Sequence, residues 1–281
     1  MEYESALLER VAQQFRREMW MSVVPEAVTE SGVEVQSFGP VQATAFGDLP
    51  EVKALNQIQG GAEPGAVQGG HLAKAVEWMR AREVDYLVPV AEGRPGSSEA
   101  AAWLGQRGFD RGRDSVKFIR DTSLSDIRVD PTMVIYELGE DEADGEGMSA
   151  IITEAMEIPG TAGTLFFSLP LEEHWRCYTA APNADEGVVS TASMLIDDGI
   201  AQLGPGATLK GWRGCGCNRA LLHRRLIDAA EAGCHTVFVE LGECDPESFA
   251  AIRSNLLRTG FEEAYGSQVW QRPALRPAAV Y

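Results

Sequence analysis

The residues from Thr208 to Asn218, Thr-Leu-Lys-Gly-Trp-Arg-Gly-Cys-Gly-Cys-Asn, carry the chain's clearest chemical signal. They read as the end of an apolar strand, a basic turn and the start of a helix. Gly214 and Gly216 let the backbone approach a bound group without Cβ interference. The helix that follows opens with unpaired N–H donors and the positive end of its dipole. Together these parts would hold phosphate, and Arg213 suits it because a guanidinium can grip phosphate through two parallel hydrogen bonds. Lys210 and Arg219 would add charge around the same group or stand in solvent. A plain strand–turn–helix connection, with glycines for tightness, uses the same residues. The same turn holds Cys215 and Cys217. With His235 and Cys244 they would make four zinc donors, but the spacing is not that of a zinc site, and no metal is expected.

Further candidates lie downstream. Glu240 ends the apolar run from His235, where partial burial would raise its pKa; a solvent-facing strand residue is the other reading. Glu243 stands on the loop after it, and Asp245 would cap a helix that opens on Pro246. Asn255 lies inside that helix, with a local backbone bond as its plain role. Tyr265 lies on the strand after Gly260-Phe261, where an aromatic is ordinarily core. Trp175 and Trp212 read as packing residues.

Composition limits what such a site can serve. The chain has 281 residues, 44% of them hydrophobic, and a mean hydropathy of −0.15, which fits a soluble globular protein of one large or two ordinary domains. No run approaches the ~18 apolar residues a membrane span requires. The acidic, amphipathic start is not a signal peptide, so a cytoplasmic location is expected. The net charge of −18, from 24 basic and 42 acidic residues, argues against nucleic acid and would attract cationic partners, small amines among them. The odd number of cysteines, five, argues against a disulfide framework.

The elements that position these residues repeat. Residues 71–110 run helix (Leu72–Met79), strand (Val84–Val90), acidic turn, helix (Ser98–Gln106) and Gly108-Phe109. Residues 219–262 run helix (Ala220–Ala232), strand (His235–Leu241), acidic turn, helix (Pro246–Arg258) and Gly260-Phe261. The Gly-Phe pairs stand at the same offset as Tyr86 and Phe238, about 150 positions, a period that means duplicated domains rather than a solenoid. Each copy closes on a strand, Ser115–Ile119 in the first and Gln268–Trp270 in the second. The second copy also predicts strands over Glu173–Ala181, Val188–Ile196 and Ile200–Leu209, the last two joined by an Asp197-Asp198-Gly199 hairpin turn. The spacing of Leu7, Leu8, Val11 and Phe15 predicts an amphipathic helix at the start. The expected architecture is α+β: two tandem domains, each a mixed, mostly antiparallel sheet flanked by helices. Their expected extents are 1–125 and 131–272, joined near Asp121–Pro131, with a frayed Pro/Ala-rich tail over 273–281. Gly139–Gly147 reads as an acidic loop.

This order resembles the GNAT superfamily of acyl-CoA-dependent N-acetyltransferases. Their pyrophosphate segment, Arg/Gln-x-x-Gly-x-Gly/Ala, falls on Arg213, Gly216 and Asn218, with asparagine in place of the small residue. Gly-Ala-Thr-Leu before the turn and Asn255-Leu-Leu-Arg-Thr-Gly-Phe after it look like a bacterial GNAT branch. The first half looks like a degenerate copy whose counterpart segment, Gln59–Gly65, lacks the arginine and carries Glu63. The tandem layout is similar to that of mycothiol synthase.

The resemblance implies acetyl-CoA as cofactor, held by Ala207, Thr208, Leu209, Arg213, Gly214, Cys215, Gly216, Cys217, Asn218 and Asn255. An open strand edge at Gly204, Gly206, Ala207 and Thr208, made irregular by Pro205, would pair with the pantetheine arm. The thioester would sit where this strand parts from His235–Leu241. The implied activity is acetyl transfer to the amine of a small molecule by direct attack, with Glu240 or Glu243 as base. Many GNAT members carry a tyrosine acid where this chain has Leu256, so Tyr265 or solvent is left to protonate the thiolate. A non-catalytic acyl-CoA-binding or regulatory protein is the alternative. Acyl transfer from a carrier protein would need a basic patch at Lys210, Arg213, Arg219, Arg224 and Arg225; aminoacyl-tRNA-dependent transfer is disfavoured by charge. Oligomeric state is left open, a homodimer included.

Overall fold

The protein is described by a computed structural model over residues 5–124, 127–128, 132–139, 142–159, 164–242 and 246–272. Its described residues group into two compact units. One comprises 14–28 and 117–264; the other comprises 5–13, 29–116 and 265–272. No helix among the described residues is long and apolar enough to cross a membrane.

The first-half unit contains strands β1 (Val33–Phe38), β2 (Val41–Phe46), β3 (Gln57–Gln59) and β4 (Tyr86–Ala91), with helices α3 (His71–Arg80) and α4 (Ser97–Gln106). β1 to β3 are antiparallel neighbours and β3 meets β4 in parallel. Ile58, Leu72, Met79, Val88 and Leu104 form its dry interior. Fully burying a side chain of this size contributes roughly 1.5–3 kcal/mol.

The second-half unit runs β7 (Val134–Glu137), α5 (Glu142–Ala155), β8 (Trp175–Ala181), β9 (Ser190–Asp197), β10 (Ile200–Thr208), α6 (Cys217–Glu231), β11 (Thr236–Leu241) and α7 (Pro246–Arg258). β7 to β10 are antiparallel in sequence order, and β10 pairs with β11 in parallel. Asp198 at φ 49 and Gly199 at φ 73 turn β9 into β10, the double left-handed geometry that suits a right-twisted hairpin. Met148, Tyr178, Leu195, Leu226 and Phe238 are fully buried beneath these strands.

Both units are mixed α+β sheets with helices, as the periodicity predicts. The closing strands are exchanged. The chain's last strand, β12 (Glu262–Arg272), lies against β4, from Ser267 opposite Ala91 to Arg272 opposite Tyr86. The strand that ends the first half, β6 (Ser115–Asp121), instead neighbours β11. A strand's own residues set which face it buries, not which neighbouring edge it joins, so the pairing is decided by packing elsewhere in the chain.

A second difference concerns Gly139–Gly147, where the composition suggests a loop. Helix α5 begins at Glu142. A Cβ on Gly145 would stand 2.2 Å from the Phe167 carbonyl oxygen, so that glycine permits close backbone packing within the helix. The apolar residues Met148, Ile151 and Ile152 that follow are buried and supply the burial that holds α5 in place. The 273–281 tail lies outside the described residues.

Helix α1 (Ser5–Met21) opens the chain. Its buried stripe is Leu8, Val11, Ala12, Phe15 and Met19, the 3.6-residue period of one helix face. Residues 14–21 belong to the second-half unit, and this bears on the candidate site.

Candidate functional site

Strand β10 is regular only in its first half. Its parallel ladder with β11 runs from Ile200 opposite Thr236 to Gln202 opposite Phe238 and, among the described residues, goes no further. On its other side, the register with β9 shifts between Leu203 and Gly206. The irregularity lies at Pro205, where the sequence places it: Gly204 takes φ 124, and the Gly204–Pro205 peptide is cis. Ser193 Oγ donates to the carbonyls of Gly204 (2.6 Å) and Pro205 (3.0 Å), fixing the bulge. A Cβ on Gly206 would come within 3.1 Å of the Thr191 carbonyl oxygen, a tight contact. The two strands thus part at the point expected, leaving a backbone edge on β10.

Beyond Thr208 the chain makes one 3-10 turn at Lys210–Trp212 and enters α6. Gly214 (φ 87) and Gly216 (φ 100) both adopt left-handed backbone, which a Cβ would strain. Gly216 is the N-cap, and no side chain caps the helix there. The first intrahelical bond runs from Ala220 N to Gly216 O at 3.0 Å. The N–H groups of Cys217, Asn218 and Arg219 precede that bond and point out of the helix end, where they can meet an anion.

A cavity of about 160 Å³ opens at this helix end, lined by Thr208, Trp212, Gly214, Cys215, Gly216, Cys217, Asn218, Arg219 and Asn255. Seven of these are residues the sequence nominates for cofactor binding. Asn255 arrives from α7, whose backbone carbonyl at that residue accepts from Thr259. Trp212 and Arg219 also line the cavity, although the sequence reading leaves one as packing and the other undecided. Ala207, Leu209 and Arg213 lie outside the lining. Ala207 and Leu209 belong to the β9–β10 end, where Ser190 Oγ donates to Ala207 O and Leu209 N to Val189 O. Arg213 is exposed, with Nη2 3.5 Å from the Ala155 carbonyl.

Glu240 lies two residues past the last β10–β11 pair, on the stretch of β11 that has left its neighbour. Its side chain is only 11% exposed, and Oε2 stands 3.4 Å from Lys117 Nζ and 3.7 Å from Arg16. Burial disfavours a carboxylate's charge while two cations at this range favour it. The apolar run around Glu240 implies its burial but not the two cations, which come from β6 and α1. Phe15, beside Arg16, approaches β10: its ring would lie 3.7 Å from a Cβ on Gly204. It also packs on Trp175 with ring centroids 4.8 Å apart, so Trp175 is a packing residue.

Glu243, Cys244 and Asp245 lie outside the described residues. Tyr265 belongs to the first-half unit, where its hydroxyl donates to Glu9 Oε1 at 2.8 Å. Leu256, at the position of the absent tyrosine, is buried. Among the described candidate zinc donors, His235 stands apart from Cys215 and Cys217: its backbone N bonds the Gly199 carbonyl at the start of β10, on the order of 25 Å along the strand from those cysteines. The basic patch is not assembled either. Arg225 is buried, donating to the carbonyls of Leu221 and Ser193, and burial lowers its pKa from 12.5 to about 10. Arg224 is engaged by Asp228 and Glu137.

The counterpart segment in the first half differs in its charge. Helix α3 also starts from a left-handed glycine, Gly70 at φ 70. The segment before it carries Glu63, whose carboxylate receives Arg94 Nη2 at 2.8 and 3.0 Å. An internal carboxylate–guanidinium pair of this kind is a strong, geometrically specific contact.

The two units, the parted β10 and β11 strands and the helix-end cavity define the class: the chain has the GCN5-related N-acetyltransferase fold in its tandem form. A GCN5-related N-acetyltransferase from Sphaerobacter thermophilus superposes with a TM-score of 0.60 at 14% identity, covering 85% of this chain and 81% of that one. One from Kribbella flavida gives 0.59 at 14% identity over 95% of each chain. A tandem GNAT protein from the clavulanic acid biosynthesis pathway gives 0.56 at 15% identity over 84% and 79%. No protein-family profile and no curated protein sequence matches the chain.

Proposed function

We propose that the protein is an N-acetyltransferase that moves an acetyl group from acetyl-CoA to the amine of a small molecule by direct attack. One observation carries this reading: the cavity at the start of α6 gathers Thr208, Gly214, Cys215, Gly216, Cys217 and Asn218 with the distant Asn255. Its donor set suits a pyrophosphate, with helix-end N–H groups, the Asn218 and Asn255 amides and the Arg219 guanidinium.

When bound, acetyl-CoA supplies an acyl thioester with a thiolate leaving group. The chain's own groups would do the remaining work. The free edge of β10 from Leu203 onward offers backbone N–H groups to the pantetheine arm and to the carbonyl oxygen as it gains charge. Glu240 would take the proton the amine loses as its nitrogen bonds the carbonyl carbon, with Arg16 and Lys117 holding its carboxylate in place. Glu243 is the second candidate base. Solvent would protonate the departing thiolate. The acidic surface, −18 overall, favours cationic acceptors.

A second reading, acyl-CoA binding without turnover, draws on the buried Leu256 at the tyrosine position and on the two cations beside Glu240. Calorimetric titration with coenzyme A, followed by a thiol-release assay over a panel of primary amines, separates the two. Binding with release supports the transferase, binding without release supports the second reading, and absence of binding removes both.

A further inference from the structure

Three sulfur-bearing residues border the cradle around Gly216. Cys215 and Cys217 flank Gly216, the N-cap of α6, and both line the cavity at the helix end. The Cys217 thiol contacts the Met133 thioether, Sγ to Sδ, at 3.8 Å. Met133, just before β7, lies close over the turn: its methyl stands 3.5 Å from where a Cβ on Gly216 would be. A larger residue at 216 would crowd this sulfur cluster.

Soft sulfur ligands select soft cations, copper(I) foremost, over the oxygen-seeking and imidazole-seeking metals. Among the described residues no group of three or more His, Cys, Asp or Glu gathers to hold a harder ion. Metal–sulfur bonds of about 2.3 Å, arranged in a plane around one ion, set the sulfurs about 4 Å apart. The Cys217–Met133 separation is already close to that. We propose that Met133, Cys215 and Cys217 form a binding site for a soft monovalent cation, copper(I) in particular, on the N-terminus of α6. Binding converts two thiols to thiolates and releases two protons to solvent, with no change in oxidation state. The resulting complex carries one net negative charge, which the positive end of the helix favours.

The cation would occupy the mouth of the cavity proposed for the pyrophosphate. Only this last point rests on the proposed function.

The test is an anaerobic competition between the full chain and bicinchoninate, a coloured copper(I) chelator, with copper(I) supplied as its acetonitrile complex. The expected result is one copper(I) withdrawn per wild-type chain, and none by Cys215→Ser or Cys217→Ser. Met133→Leu should weaken uptake by about tenfold or more, a scale on which even groups supporting a metal site act. Cys177→Ser and Cys234→Ser, buried elsewhere, should retain full uptake. Thermal melting without metal establishes that each variant folds; should buried Cys217 not tolerate serine, the part-exposed Cys215 carries the test. Wild-type uptake by the Cys215→Ser chain, or no uptake by wild type, overturns the proposal. Coenzyme A present beforehand should block uptake. Copper(I) binding by a chain that binds no coenzyme A supports this site and removes the cofactor reading alone.

Discussion

Replacing Gly216 with alanine isolates the backbone's part in the cradle. At φ 100 an L-residue is strained, and such a position costs on the order of 1–3 kcal/mol. The added methyl meets only Met133 Cε at 3.5 Å, an ordinary contact, so sterics add little to the backbone term. Two responses are open to the chain. It can keep the turn and lose that stability, or relax the turn and swing the N–H groups of Cys217, Asn218 and Arg219 off the cavity. A hydrogen bond to a charged group contributes about 1.5–3 kcal/mol. Misdirecting one donor therefore weakens coenzyme A binding by about 10- to 100-fold, at about 1.4 kcal/mol per factor of ten. Gly233, at the far end of α6, supplies the control: φ is 78 and nothing lies within 4 Å of its virtual Cβ. Gly233→Ala should lower the melting temperature and leave coenzyme A affinity unchanged. Both variants are measured by thermal unfolding and by calorimetry with coenzyme A. If Gly216→Ala is destabilised yet binds as wild type does, the helix end is not the cradle. Equal losses of affinity in the two variants would show a general effect of softening α6.

Three further outcomes follow from the geometry. Glu240→Gln keeps the side chain's volume but removes the charge facing Lys117 and Arg16, so turnover should fall with a changed pH profile; steady-state kinetics identical to wild type would take Glu240 out of the chemistry. Coenzyme A should bind at one equivalent per chain, because the first half's counterpart segment carries Glu63, already paired with Arg94, in place of a free cation, and a calorimetric stoichiometry of two would refute this. Folding stability should decline as pH rises from about 9 toward about 12, because the native chain keeps the Cys217 proton that the unfolded chain releases. Denaturant titrations at pH 8 and pH 10 should show a smaller decline in Cys217→Ala than in wild type, and equal declines would show that other groups set the slope.

Much of the cradle could be read in the sequence because its logic is local. Gly214 and Gly216 must accept left-handed angles within a few residues of each other, and the helix they open brings its own donors. The β9–β10 hairpin was legible for the same reason, since Asp198-Gly199 dictates its turn. Even Asn255 could be named, by resemblance rather than by distance along the chain. Arg213 and Arg219 show where local reading ends: both are basic and both lie near the turn, yet only the second faces the cavity. One precedes the helix in extended backbone and the other lies in its first turn, so their side chains leave in different directions.

What the sequence determined by itself was the alternation of elements, the duplication and the glycine-bearing helix start, all consequences of period, turn chemistry and conformational freedom. What the tertiary structure decided was which edge each closing strand takes and which distant groups meet. The exchange of β6 and β12 gives Lys117 to Glu240 and Tyr265 to Glu9. Arg16 reaches Glu240 from the first helix, and Met133 reaches Cys217 across more than eighty positions of sequence. Such meetings depend on long-range packing, where a side chain's neighbours are chosen by the whole fold and leave no mark in the residues beside it.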